Sequence, residues 1–337
     1  MSFATRLRYY RRILPAYLGA GRSQLTFWHE TPAINPQATV AEFGPYYMLF
    51  REKADYAGHR DADGIPMLDY RGAIGLQYNP IAIAQWGLAN NNIFCDTKND
   101  SRRANTLKAA NWLVANLQQN PHGLGVWNHH FNWDYRDTLQ APWYSGLAQG
   151  QGISLLLRAY SQTQDKKYQD AADRAFVSLT KPIAEGGVLH EDAKKNLWIE
   201  EYLVSPPTHI LNGFIWALWG VFDYWRTVEC SADTPVRESP NLTARIIFDR
   251  GVQTLLANLA RYDTGYWSLY EQSGTRLKML ASPFYHRLHI VQLRVMATLT
   301  GEPLFTEFAD RWELYAKNRA NRTRALVEKS IFKLVHY

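Results

Sequence analysis

The feature that most constrains this chain is a helical pattern repeated four times between Ile81 and Tyr315. Each repeat is an apolar helix rich in small and aromatic residues, a short polar turn, and an amphipathic return helix, the pattern of a helical hairpin. The first opens at Ile81-Ala82-Ile83-Ala84-Gln85-Trp86, turns from Thr97 to Asp100, and returns from Asn105 to Leu117. The second opens at Gly146-Leu147-Ala148, turns from Thr163 to Asp165, and returns from Tyr168 to Leu179. The third opens at His209-Ile210-Leu211 and returns from Ala244 to Leu259; the fourth opens at Tyr285, turns from Thr300 to Pro303, and returns from Phe305 to Tyr315. Starts recur on the order of every 65 to 75 residues, longer than a solenoid repeat, because long loops separate the hairpins. An open solenoid needs polar end repeats, and none can be identified, whereas Gly and Ala on the first helices would let these helices approach one another and close a ring. The expected fold class is mainly α, an α/α toroid of about four helical hairpins with a small N-terminal β-rich region.

The character of the chain changes near Pro80. From Trp28 to Tyr78 the runs are short and extended, punctuated by Pro and Gly and by the turn Asp61-Ala62-Asp63-Gly64. The expected division is therefore an N-terminal arm with a small β-rich region over 1–79 and a toroid catalytic domain over 80–337. At the N-terminus, Arg6, Arg8, Arg11 and Arg12 precede an apolar stretch from Ile13 to Leu18, broken by Pro15 and too short for a signal segment or a membrane span. A cytoplasmic location is expected, with peripheral contact to an anionic membrane surface through the basic segment Arg6 to Leu18 as the membrane-associated variant.

A net charge of +6 draws anionic partners without choosing among them. Nucleic acid is not an expected partner, because no recognisable binding module accompanies the charge. Aromatics make up 14% of residues, with 12 Trp and 20 Tyr, which suits surfaces where sugar rings stack and suggests saccharide binding, so an acidic polysaccharide stays among the anionic partners the charge allows. Cys95 and Cys230 are the only cysteines, so neither a disulfide framework nor a cysteine-rich zinc site is expected. No metal or cofactor is expected to be required. Asp61 and Asp63 suggest a structural Ca2+ ion, but a turn is the favoured reading, and His286 with His289 lacks a third metal ligand, which favours a structural role. A homodimer is the expected assembly.

Four loop clusters carry the unusual residues. Pro142-Trp143-Tyr144-Ser145 precedes a helix that begins with Gln149 and Gln151, and rings plus amides are the means of gripping a sugar; a helix-anchoring Trp is the equal alternative for Trp143. Glu200-Glu201-Tyr202 precedes Pro206-Pro207 and, further on, Asn212, which makes a candidate acid/base station. Tyr262-Asp263-Thr264-Gly265-Tyr266-Trp267-Ser268-Leu269-Tyr270 reads as an aromatic hairpin. Pro283-Phe284-Tyr285-His286-Arg287 opens the last first-helix, where backbone amides and Arg287 could hold an anion.

Through these residues the stretch from about Pro80 to Leu314 resembles the C-terminal domain of the heparan/heparosan glucuronyl C5-epimerases, as a short, bacterial-type member. The resemblance rests on Trp143-Tyr144-Ser145 with Ala148-Gln149-Gly150-Gln151, on Glu200-Glu201-Tyr202 with Leu211-Asn212-Gly213-Phe214, on Tyr262-Asp263-Thr264-Gly265, and on Tyr285-His286 with His289-Ile290 and Gln292-Leu293. It implies an α/α toroid. It implies that Glu201 is the catalytic glutamate, Tyr202 its neighbouring tyrosine, Tyr270 the hairpin tyrosine, Tyr285 the last catalytic tyrosine, and Asn212 a substrate contact. The chain departs from the pattern after Tyr270, where Glu271-Gln272-Ser273-Gly274 stands in place of a segment with an arginine, so the uronate carboxylate is expected to be held by Arg276 or Arg287. Trp143, Tyr144, Gln149, Gln151 and His286 complete the expected substrate-binding set.

The activity so implied inverts C5 of D-glucuronate in a heparosan-like polymer. One group removes the C5 proton, another returns a proton on the opposite face, and donors neutralise the enediolate between the two steps. Glu201 and Tyr285 are the expected stations, with Tyr202 and Tyr270 as donors. A polysaccharide lyase shares the carbanion and expels the C4 substituent, and a non-catalytic polysaccharide-binding protein would use the same surface without chemistry. Glycoside hydrolysis fits less well, because no second carboxylate pairs with Glu201.

Overall fold

A computed structural model describes residues 27–28, 30–40, 43–229 and 240–336. The basic segment Arg6 to Leu18, and Cys230, lie outside the described residues. Before Pro80 come short strands β1 (Ala33–Ile34), β2 (Met48–Leu49), β3 (Leu68–Asp69) and β4 (Leu76–Gln77), with one short helix, α1 (Arg51–Ala54). Then follow α2 (Pro80–Thr97) and α3 (Asp100–Ala115), the strands β5 (Gln118–Gln119), β6 (Gly125–Val126), β7 (Trp133–Asp134) and β8 (Thr138–Leu139), and α4 (Gly146–Thr163) with α5 (Lys166–Phe176). The chain continues through β9 (Leu189–Glu191), β10 (Leu197–Ile199), α6 (Leu211–Glu229), α7 (Pro240–Asn258), α8 (Pro283–Thr300), α9 (Pro303–Lys317) and α10 (Arg319–His336). Among the described residues every strand pairs with its neighbour in sequence, so the stretch before α2 and the connections from α3 to α4 and from α5 to α6 carry small two-stranded sheets.

The architecture is mainly helical and built from helix pairs, as the periodicity predicts. Their ends obey local chemistry. The Asn79 side chain accepts from the amides of Ile81 and Ala82 ahead of Pro80, and Ser145, Asp165 and Ser282 cap α4, α5 and α8 in the same way. Lys98 and Gln164 end α2 and α4 in the left-handed conformation, and Gly301 does so for α8. The terminal helix α10 is not among the four hairpins read from the sequence.

By their contacts the described residues divide into two compact units, Ile34–Ala257 and a second one made of Asn258 onward with the few described residues before Ile34. Within the first unit, α2, α4 and α6 pack side by side. Gln85 Nε2 donates to Gln151 Oε1 at 3.0 Å across α2 and α4. Helices α4 and α6 approach so closely that a Cβ on Gly150 would stand 2.5 Å from Ala217 Cα, and one on Gly220 would stand 2.3 Å from the Gly150 carbonyl oxygen. The small residues of the first helices are thus what the packing requires. Arg158 of α4 and Asp223 of α6 form a fully buried ion pair at 2.6 Å, to which Tyr47 adds a hydrogen bond from its hydroxyl at 2.5 Å. In the second unit α8 packs on α9, and α10 follows.

Candidate active site

Strand β10 ends in two adjacent carboxylates with different surroundings. Glu200 is buried and engaged: its Oε2 accepts from the His209 amide at 3.1 Å, and its Oε1 stands 2.5 Å from His209 Nδ1. His209 is held for this contact by its stack on Trp198, 4.2 Å between ring centres, and by a left-handed backbone at φ 50°. The Glu200 carbonyl also accepts from the Gly146 amide at 2.9 Å, so this residue joins the start of α4 to β10.

Glu201, the next residue, is buried too, but with an amide beside it in place of a histidine. The Asn212 amide donates to its Oε2 at 3.4 Å. Burial pushes the Glu201 carboxyl up to about 8, against a lowering hydrogen bond from Tyr202 and with a smaller rise from the neighbouring Glu200. A carboxyl in that range keeps its proton at neutral pH and can act as an acid. Gly213 beside Asn212 leaves the space that the Glu201 side chain occupies.

An aromatic wall adjoins this carboxyl. The Tyr202 ring lies 4.7 Å from Tyr135 and 5.7 Å, edge to face, from Trp143, against a cluster of Phe131, Leu139 and Trp143. Trp143 is fixed by its Nε1, which donates to the Phe131 carbonyl at 2.8 Å, and by its stack on His129 at 3.8 Å. Tyr144 is half-buried and donates to the Gly186 carbonyl at 2.8 Å. A cleft of about 400 Å³ opens here, lined among others by Gln140, Pro142, Trp143, Tyr144 and Val204. Trp143 therefore anchors the cluster and also presents an edge to the cleft.

The two glutamines of α4 lie elsewhere. Gln149 is fully buried, its Oε1 accepts from the Trp127 amide at 3.0 Å, and its Nε2 donates to the Gly125 carbonyl at 3.0 Å and to Ser178 Oγ at 2.9 Å. Every one of those bonds ties a loop to the helix, and no donor or acceptor of Gln149 faces a sugar. Gln151 is equally buried and joins Gln85.

The second unit holds the other expected residues. The hairpin from Asp263 is closed by a bridge to Ser268, and the next bridge, Leu269 to Leu280, brings Tyr270 to the start of α8. Tyr270 and Tyr285 meet at 4.9 Å, ring edge to ring face. His286 points inward: Ser268 N donates to its Nδ1 at 3.2 Å, which leaves the proton on Nε2 for the Trp312 carbonyl at 2.9 Å. Its ring lies flat on Trp267 at 3.7 Å, and burial holds its pKa down at about 4. His286 is a neutral strut of this unit, and its sequence assignment to substrate does not fit these bonds. Arg276 and Arg287 are both exposed. Sequence reading gave no role to Glu271, which is buried here beside Tyr270, nor to Lys329 and Lys333 of α10, because charges at helical spacing read as a solvated face.

Elsewhere, Asp61 uses its carboxylate as a turn acceptor for the amides of Asp63 and Ile65, while Tyr78 donates to its other oxygen. Among the described residues no group of three or more His, Cys, Asp or Glu is placed to hold a metal ion, and no helix is long and apolar enough to cross a membrane.

Residues 119–314 match the family described as the D-glucuronyl C5-epimerase C-terminus. The chain is 32% identical over 212 residues to a D-glucuronyl C5-epimerase of Caenorhabditis elegans, a match covering 62% of this chain and 34% of that protein. It is 27% identical over 190 residues to an uncharacterized protein of Methanocaldococcus jannaschii, covering 56% of each. Among solved structures, the cellobiose 2-epimerase of Spirochaeta thermophila superposes with a TM-score of 0.45 at 13% identity, over 91% of this chain and 69% of that one. The chain thus spans about a third of the nematode enzyme's length and about half of the archaeal protein's. It belongs to the D-glucuronyl C5-epimerase C-terminus family.

Proposed function

We propose that this chain is an epimerase that inverts C5 of D-glucuronate to L-iduronate within a heparosan-like polysaccharide. The observation that carries the reading is Glu201: a buried carboxyl whose proton is retained near neutrality, next to Tyr202, whose ring packs on the Trp143 that lines a cleft, in a chain of this family. The reaction takes the C5 proton from one face and delivers another to the opposite face, with the sugar carboxylate as an enediolate in between. Glu201 held neutral is suited to give the proton, and Tyr285 is assigned to remove it. Tyr202 and Tyr270 donate to the enediolate oxygens, and Asn212 orients the Glu201 carboxyl. In the return direction Glu201 and Tyr285 exchange roles, as reversibility demands.

The reading is tested by incubating the protein with heparosan in deuterated water. Deuterium at C5 of the uronate with iduronate formed is the expected result. An unsaturated product absorbing in the near ultraviolet would assign the chain to the lyases instead, and binding with neither outcome would make it a polysaccharide-binding protein.

A further inference from the structure

The loop from Glu201 to Thr208 carries two of the residues assigned to the chemistry, yet it has little internal structure to hold them. It contains no helix or strand, and among the described residues its backbone makes one hydrogen bond with itself, from Val204 N to the Tyr202 carbonyl at 3.0 Å. Its middle, at Ser205 and Pro206, is exposed, while Glu201 and Thr208 at the two ends are buried. A segment so sparsely bonded opens locally at little cost unless its ends are fixed.

Those ends are fixed by the two residues that flank the loop. Glu200, only 1% exposed, receives the His209 amide on Oε2 at 3.1 Å and His209 Nδ1 on Oε1 at 2.5 Å. Both oxygens of a buried carboxyl are thus answered by one residue nine positions on. Each partner is also anchored behind the loop. The Glu200 amide donates to the Val188 carbonyl at 2.9 Å and its carbonyl accepts from Gly146, while the His209 ring lies flat on Trp198 and its backbone is left-handed, a conformation His tolerates better than most residues. From this pair the chain leads straight to the acid. Glu201 follows Glu200, and Asn212, three residues after His209 in the first turn of α6, donates to Glu201 Oε2. A shift between Glu200 and His209 therefore passes directly to the contact that holds Glu201.

We propose that Glu200 and His209 are positioning residues, a clasp that closes the loop 201–208 and so holds Glu201 and Tyr202 in place for the sugar. What the two are held for rests on the epimerase reading; the clasp itself does not.

Backbone amide hydrogen exchange, read by mass spectrometry without substrate, tests the clasp. His209→Gly tolerates the left-handed backbone but removes the ring, and Glu200→Leu removes the carboxyl. Each should speed exchange of the loop amides at least about tenfold, the loss of one strong hydrogen bond, while α4 and α6 keep wild-type rates. The double variant should do no more than either single one, because both break the same contact. His209→Asn, which also tolerates the backbone and keeps a side-chain donor, should stay near wild type. If Glu200→Leu does not fold, the comparison of His209→Gly with His209→Asn decides. With heparosan as substrate, His209→Gly should lower kcat for C5 exchange by about 100-fold with KM changed less than about twofold, the pattern of a group displaced from the transition state. His209→Asn should restore most of that loss. Wild-type loop exchange in His209→Gly, additive effects in the double variant, equal effects of Gly and Asn at 209, or a loosened loop with unchanged kcat would overturn the clasp as a positioning device. A wild-type protein that never exchanges the C5 hydrogen, with the loop results as expected, would sink the epimerase reading and leave the clasp standing. An active epimerase whose His209→Gly variant exchanges both loop amides and the C5 hydrogen at wild-type rates would do the reverse.

Discussion

Gly213 stands so close to Glu201 that a Cβ built on it would lie 2.2 Å from Glu201 Oε2 and 2.7 Å from Glu201 Cβ. The carboxylate tip could swing aside, but the Cβ is fixed to the backbone of the strand end, so a methyl group at 213 must displace the whole side chain. Gly213→Ala should therefore keep the fold and lower C5 exchange by about 100-fold, the scale for displacing a catalytic group by an ångström. Deuterium incorporation compared with circular dichroism checks it, and wild-type exchange in Gly213→Ala would remove Glu201 from the chemistry.

Glu201 also couples stability to pH. Its carboxyl moves from 4.5 in the unfolded chain to about 8 in the fold, so the native state holds the proton more tightly. That contribution is complete below about 4.5, declines as pH rises, and is gone above about 8. Glu201→Gln has no such proton. The unfolding free energy of the wild type minus that of Glu201→Gln should fall by a few kcal/mol, about the amount set by the shift, between pH 5 and pH 9 in urea titrations. A flat difference would show that Glu201 is not desolvated.

Tyr285→Phe is expected to abolish C5 exchange with the fold retained, because the phenyl ring keeps the contact with Tyr270. Exchange measured by mass spectrometry at near wild-type rate would place the second station elsewhere.

Gln149→Leu should act on folding and not on substrate. It strands the Trp127 amide, the Gly125 carbonyl and Ser178, three partners in a sealed interior. A loss of roughly 3 kcal/mol in denaturant unfolding, with KM unchanged for whatever protein remains folded, is the expected pattern. A raised KM at full stability would return Gln149 to the substrate site.

Asp223→Ala leaves the Arg158 guanidinium buried beside Tyr47 with its charge unanswered. About 3 to 5 kcal/mol of stability should be lost. The double variant Arg158→Met with Asp223→Leu should recover much of it, as thermal unfolding would read.

Hairpin starts and turns were legible because their signals are local. Asn79 with Pro80, Ser145, and Ser282 with Pro283 announce helix starts through bonds to amides two or three residues on. The Gly and Ala content of the first helices likewise foretold close approach, now seen at Gly150 and Gly220. Gln149 misled because a buried amide satisfied by backbone and one aimed at a ligand have the same sequence. His286 misled for the same reason: its position at the start of α8 is readable, but its direction, toward Trp267 and Trp312, is set by packing from residues far along the chain.

Local order and the pairing of neighbouring helices are properties of short stretches, and the chain alone determined them, whereas the candidacy of Glu201 and Tyr285 came from the family resemblance. What only the tertiary structure decided is which like residues differ in environment: Glu200 answered by His209 while Glu201 is not, Lys329 buried beside Tyr270 while Arg276 and Arg287 face solvent. The reason is that desolvation and charge pairing depend on neighbours brought together by folding, and a side chain's own position in sequence does not carry that information.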